Sequence, residues 1–172
     1  MLIERIELRH IKMDLVSPFV TSMGTEYDEE HIIVCTESQG ITGWGESVAE
    51  GTPFYSYETV QTAWHILQDF LIPSILGRDI SSVDEALESY SKVRGHMMAK
   101  AGLEASLWDA FAKSQNISLS QLIGGTRKKI DVGVSIGIQD SVPILIKKVE
   151  GYLSEGYKRI KIKIAPGLDM QF

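Results

Sequence analysis

Two lysines near the end of the chain, Lys161 and Lys163, have the type and spacing to move a proton. They lie in the run Arg159-Ile160-Lys161-Ile162-Lys163-Ile164, where cations and isoleucines alternate without a break. Alternation with a period of two predicts a strand with cations on one face and isoleucines on the other. If that strand has a wet face, the amines are simply solvated. If it belongs to a parallel sheet covered on both faces, the isoleucines pack on a helix layer and the lysines point the other way, into the interior of a barrel. There, two ammonium groups about 7 Å apart by strand rise disfavour each other's charge. Desolvation acts in the same direction, and a lysine brought toward neutrality is a usable general base. The C-terminal end of a barrel strand is where such folds keep their chemistry.

The elements that would position these lysines can be read upstream. "KIDVGVSIGI" predicts a strand. Asp140 or Ser141 can cap a following helix with Pro143 in its first turn. That helix carries Ile144, Leu145, Ile146, Val149 and Leu153, runs to about Ser154 and is ended by Gly156. With the lysine strand this makes a β-α-β unit whose strands should be parallel, with a right-handed crossover. Two parallel strands and one helix cannot bury both faces of a sheet, so the segment reads as the start of a longer α/β domain. "APGLDMQF" reads as a loop leading toward another helix.

The first half has a different grammar. "MLIERIELRHIKMDLV" alternates, with a change of parity near His10 that suggests a bulge. "SPFVTSMGTEYDEE" contains Pro18 and Gly24 and reads as a loop. "HIIVCTES" and the segment after the turn at Gln39-Gly40 read as two more strands, giving an antiparallel meander. Val60, Ala63, Trp64, Leu67, Phe70 and Leu71 follow helical spacing. Ser82 and Glu85 form a capping box for the next helix. "HMMAKAGLEASLWDAFAKSQ" predicts the strongest helix. Its Ala101, Gly102, Ala105 and Ala112 allow another backbone to approach, while Leu107, Trp108 and Phe111 add bulk. "SLSQLIGG" reads as a short helix stopped by Gly124 and Gly125.

The composition is that of a soluble globular chain: 172 residues, 44% hydrophobic and 23% charged, with a net charge of -6. The acidic balance argues against a nucleic-acid surface. No apolar run approaches the ~20 residues needed to span a bilayer and nothing resembles a signal peptide, so a cytoplasmic location is expected. The single cysteine, Cys35, reads as a small core residue rather than a nucleophile.

"SPFVTSMGT", "GWGESVAEGTPFY", "MAKAGLEASLWDAFAK", "SLSQLIGG", "VGVSIGI" and "KIKIAPG" together resemble the enolase superfamily, in its muconate-lactonizing-enzyme-like subgroup. The resemblance is to the o-succinylbenzoate synthase / N-acylamino acid racemase family, N-terminal part only. It spans almost the whole chain, and the Lys-x-Lys motif in "KIKIAPG" is its most specific part. It implies an α+β capping domain over residues 1–125, with a three-stranded antiparallel meander plus helices. Residues 126–172 would then be the first β-α-β unit of a TIM-like, modified (β/α) barrel. The implied reaction is abstraction of the proton alpha to a carboxylate, making the enzyme a lyase or isomerase.

The same resemblance implies Lys163 as the acid/base, with Lys161 holding the carboxylate and tuning its neighbour. It puts Ser135, Phe19, Thr21, Tyr55 and Glu50 at positions that contact substrate, on loops Ser17–Thr25 and Gly45–Tyr55 and at the end of the first barrel strand. At Glu50 some relatives carry an apolar residue. Ser135, Phe19 and Tyr55 can equally be packing residues. The implied cofactor is Mg²⁺ or another divalent metal, whose ligands fall on later barrel strands, so no residue of this chain is assigned to the metal; Asp169 and Glu155 read as solvated charges. A small-molecule carboxylate is the implied partner, with neither nucleic acid nor membrane, in a homo-oligomer at full length; the 172-residue chain alone is expected to be inactive. Two further readings stand beside this one. They are a dipeptide epimerase or muconate cycloisomerase of the same superfamily, and a non-catalytic fragment with an open sheet edge.

Overall fold

A computed structural model describes residues 1–167. The chain forms two compact units. The first comprises Met1–Met13 and Glu29–Thr126; the second comprises Asp14–Asp28 and the chain from Arg127 onward.

A three-stranded sheet of order β1-β2-β3 is built from β1 (Arg5–Thr21), β2 (Gly24–Ser38) and β3 (Ile41–Ser47). Strand β1 hands over to β2 through Ser22 and Met23 alone, which is hairpin spacing. The β2–β3 turn has Gln39 at φ 49° and Gly40 at φ 79°, the paired positive φ values of a type I′ hairpin. It sets the register from Ser38↔Ile41 back to Ile32↔Ser47.

The stretch Ser17–Glu30, expected as a loop, is instead the distal half of this hairpin. Pro18 is tolerated because β1 is an edge strand, where an absent N–H need not cost a ladder bond. Gly24, at φ 150°, opens β2 rather than breaking it.

In the first unit, the inward face of the sheet presents Ile32, Val34 and Thr36 of β2 beside Ser47, Gly45 and Gly43 of β3. Helix α4 (Met97–Ser114) lies directly on this face. A Cβ at Gly43 would stand 2.1 Å from the Ser106 carbonyl oxygen, and one at Gly45 would stand 2.1 Å from that of Gly102. The two glycines of "GWGE" therefore admit the helix backbone itself. From the helix side, Gly102 matches them, since a Cβ there would meet Ser47 N at 2.8 Å. Ala105 borders this contact, whereas Ala101, expected to share it, is exposed. Thr36 and Ser106, both fully buried, satisfy one another through a 2.7 Å hydroxyl pair.

The other helices complete the core. Helix α1 (Val60–Ile66) starts from a Thr59/Thr62 capping box and continues through a π-helical turn (Leu67–Leu71) into α2 (Ile72–Ile75). The buried residues Ala63, Leu67, Leu71 and Ile75 recur every four positions. The wider π turn, closed by i→i+5 bonding, keeps that spacing on one side and leaves Phe70 half exposed, against the helical stripe expected for it. Helix α3 (Val83–Ser89) is capped by Ser82, which accepts from Glu85 N at 3.2 Å. The Glu85 carboxylate does not close the expected box on Ser82. It accepts from Ser81 N and Ser81 Oγ instead. The short α5 (Leu119–Leu122) starts at Ser118, and Gly124 follows it at φ 82°. Cys35 is buried, and desolvation pushes its thiol up, as suits a packing residue.

In the second unit, β4 (Val134–Ile136), α6 (Val142–Ser154) and β5 (Ile160–Ile162) form a β-α-β unit with parallel strands. Ser141 occupies the N-cap of α6, Pro143 stands in the first turn, and Gly156 follows the helix at φ 94°. Ile136 and Leu145 are buried. The isoleucines of β5 are not all covered as expected: Ile162 and Ile164 are 41% and 58% exposed. The expectation for "APGLDMQF" falls largely on residues 168–172, outside the described residues.

Candidate active site

The strand pair β4–β5 places the lysines. In the parallel register Ser135 stands opposite Lys161, so their side chains leave the same face, and Lys163, two residues on, shares it. Pairing continues past the strand end, because Lys163 N–H donates to the Ile136 carbonyl at 2.9 Å. The backbone of Lys163 is thus tied to β4. One further step along the register brings Gly137 opposite Lys163. A Cβ on Gly137 would stand 3.7 Å from the Val20 carbonyl oxygen, so the missing side chain leaves room for the hairpin tip of the same unit.

That hairpin supplies the nearest aromatic. Lys163 Nζ lies 5.0 Å from the centroid of the Phe19 ring, within cation–π range. Lys163 is half-buried, while Lys161 and Ser135 are exposed. Thr21, on the same strand as Phe19, uses its hydroxyl locally: it accepts from Met23 N at 3.1 Å and donates to Gly24 O at 3.3 Å. Its position is that of a turn-forming residue.

Tyr55 and Glu50 belong to the first unit. Tyr55 is 74% exposed. Glu50 forms an isolated bridge with Thr59, and its carbonyl accepts from Val60 N at 2.8 Å. Gly137 went unread in the sequence although a glycine inside a strand pattern is the usual sign of close backbone approach. Among the described residues no group of three His, Cys, Asp or Glu side chains could hold a metal ion. Glu155 is an exposed C-cap of α6; Asp169 lies outside the described residues.

A meander sheet carrying a helical layer, followed by a β-α-β unit with a Lys-x-Lys strand, is the arrangement of the enolase superfamily's N-terminal half. Residues 5–124 match the family model described as mandelate racemase / muconate lactonizing enzyme, N-terminal domain. The chain belongs to that family. Among proteins of known activity it is 47% identical over 169 residues to the o-succinylbenzoate synthase of Geobacillus kaustophilus, covering 98% of this chain and 45% of that protein. It is 40% identical to the N-succinylamino acid racemase of Thermus thermophilus, covering 99% of this chain and 46% of the other. A crystal structure of an enolase-superfamily member from Listeria innocua superposes with a TM-score of 0.90 at 40% identity, over 96% of this chain and 45% of that one. The chain thus spans about half the length of the relatives it matches. No helix among the described residues is long and apolar enough to cross a membrane.

Proposed function

We propose that this chain is the capping domain, residues 1–125, and the opening β-α-β unit, from residue 126, of a cytoplasmic acid/base enzyme that removes the proton alpha to a carboxylate. The reaction is o-succinylbenzoate synthesis by loss of water, with racemisation of N-acylated amino acids as the second activity of the same site. The observation that carries this reading is the common face of Ser135, Lys161 and Lys163, with the Lys163 amine held over the Phe19 ring.

The chemistry follows from the lysines. Lys163, in its amine form, forms an N–H bond to the substrate's α proton. The electron pair of the broken C–H bond passes into the carboxylate and gives an enediolate. Lys161 lies on the same face and meets the carboxylate with its charge. In the elimination, the enediolate pair re-forms a carbon–carbon double bond and expels the β-hydroxyl, which leaves as water with the proton that Lys163 returns. In racemisation the α carbon regains a proton from the opposite side. Both outcomes begin with one proton transfer, so a single base serves both.

In this reading Phe19, Thr21, Ser135, Tyr55 and Glu50 contact the substrate, a small carboxylate, and the whole protein is a homo-oligomer. A divalent cation such as Mg²⁺ would supply charge where the enediolate develops. The described residues hold no ligand set for it, and no residue here is assigned to it.

The test is α-proton exchange in deuterium oxide, followed by NMR on the protein expressed from its whole reading frame with Mg²⁺ present. The substrates are the succinyl-bearing cyclic carboxylate and an N-acylated amino acid. Exchange and water loss with the first are expected. Turnover of a dipeptide with neither of these would make the protein an epimerase. No exchange with any of the three would overturn the proton-abstraction reading.

A further inference from the structure

Glu58 is a buried carboxylate, only 2% exposed. It engages the start of α4. Met98 N–H donates to Oε1 at 3.0 Å and to Oε2 at 3.1 Å, and Ala99 N–H donates to Oε2 at 3.1 Å. The residue at the N-cap of α4, His96, is left-handed at φ 54° and makes no side-chain cap. An 18-residue helix therefore receives its N-terminal acceptor from 40 positions earlier in the chain. A carboxylate at that end meets both the unpaired N–H groups and the positive pole of the helix.

Immediately before Glu58 lies Gly51–Tyr57, a short loop in which Phe54, Tyr55 and Tyr57 are 76%, 74% and 67% exposed. Its base is closed by the Glu50–Thr59 bridge and by Val60 N–H donating to Glu50 O. Close to Glu58, Ser56 Oγ accepts from Glu58 N at 3.3 Å. Tyr57 Oη lies 3.5 Å from where a Cβ on Gly95 would stand. The loop thus presents large aromatic groups to water while its end is fastened to the turn that launches α4. Exposed aromatics on a fastened loop suit recognition, since their rings offer contact area at little rotamer cost.

We propose that Glu58 is a positioning residue: by fastening the base of the aromatic loop to the N-terminus of α4, it sets where Tyr55 meets the substrate. This rests on the reading of Tyr55 as a substrate contact given above.

The experiment compares wild type, Glu58→Gln and Glu58→Ala, each expressed from the whole reading frame. KM and kcat are measured for the α-proton reaction, and the rate of chymotrypsin nicking after Phe54, Tyr55 and Tyr57 is measured well below each variant's melting temperature. Loss of a capping acceptor of this kind predicts that Glu58→Ala raises KM roughly tenfold while kcat moves much less. It should also nick faster than wild type. Glu58→Gln, which keeps an acceptor oxygen but no charge, should fall between; it carries the test alone if Glu58→Ala does not fold. Unchanged KM overturns the proposal, even where nicking is faster or melting is lower, because that is a structural cap only. If wild type shows no α-proton reaction, the enzymatic reading fails by itself; the nicking rates then decide whether Glu58 fastens the loop, and equal rates overturn that too.

Discussion

Lys163 Nζ stands 5.0 Å from the centroid of the Phe19 ring, so the strand-end amine faces the negative side of an aromatic system supplied by the β1 arm of the hairpin. Such a contact is worth about 0.5–1 kcal/mol at an exposed site. Phe19→Leu keeps an apolar side chain and removes the quadrupole. It should lower kcat/KM by roughly two- to fivefold, the rate equivalent of that energy. Lys163→Ala should cost far more, on the order of 10²–10⁴-fold in α-proton exchange, because the base itself is gone. NMR exchange rates on the two variants check both expectations; equal losses would contradict a distinction between base and neighbour.

The contact between α4 and β3 predicts a sharp difference between glycines. Gly45→Ala drives a methyl to 2.1 Å from the Gly102 carbonyl oxygen and should destabilise by about 1–3 kcal/mol or more, the usual range for overpacking. Gly151→Ala lies within α6 with nothing near the new methyl. It should stabilise by about 0.5–1 kcal/mol through helix propensity. Denaturant midpoints of the two variants, at unchanged slope, make the comparison.

The exposed margin of the sheet is guarded by α4. Asp109 Oδ2 accepts from Trp44 N at 2.8 Å, and Lys113 Nζ donates to Thr42 O at 2.8 Å. Both partners lie on the edge strand β3, where unpaired backbone groups invite another chain. Asp109→Leu should cost about 1–3 kcal/mol for the stranded N–H and raise self-association. Sedimentation velocity of the variant against wild type reads the second effect.

Glu85 predicts an acid-side dependence. Its hydrogen bonds from the Ser81 hydroxyl and backbone N–H hold the carboxyl below its ordinary value of 4.5. A depressed native value stabilises the fold above the unfolded value and is lost as pH falls through the native one. Melting temperatures of wild type and Glu85→Gln should therefore differ most above pH 4.5 and converge in stronger acid. A difference that grows on acidification would contradict the assigned cause.

Much of the fold was legible in local pattern. Alternation marked β2 and β5, Gln39-Gly40 marked the turn, Ser118 and Gly124 bounded α5, and the Pro143–Gly156 stretch read correctly as the crossover helix between parallel strands. These features depend on residues within a few positions of one another, where steric preference and period suffice. The Lys-x-Lys spacing likewise put both lysines on one face without further information.

What the local pattern could not carry was decided by contacts distant in sequence. Ser17–Glu30 reads as a loop because of Pro18 and Gly24, and becomes strand because β1 and β2 pair along a long hairpin with Pro18 on its edge. Phe70 fits a helical stripe until a π turn rotates it outward. Glu58 carries no sign of its role, since the N–H groups it binds begin 40 residues later. Gly43 and Gly45 look like turn residues and serve instead to admit a helix backbone. In each case the deciding energy is burial or hydrogen bonding between segments far apart in the chain. That energy exists only once the segments have met, so no window of sequence contains it.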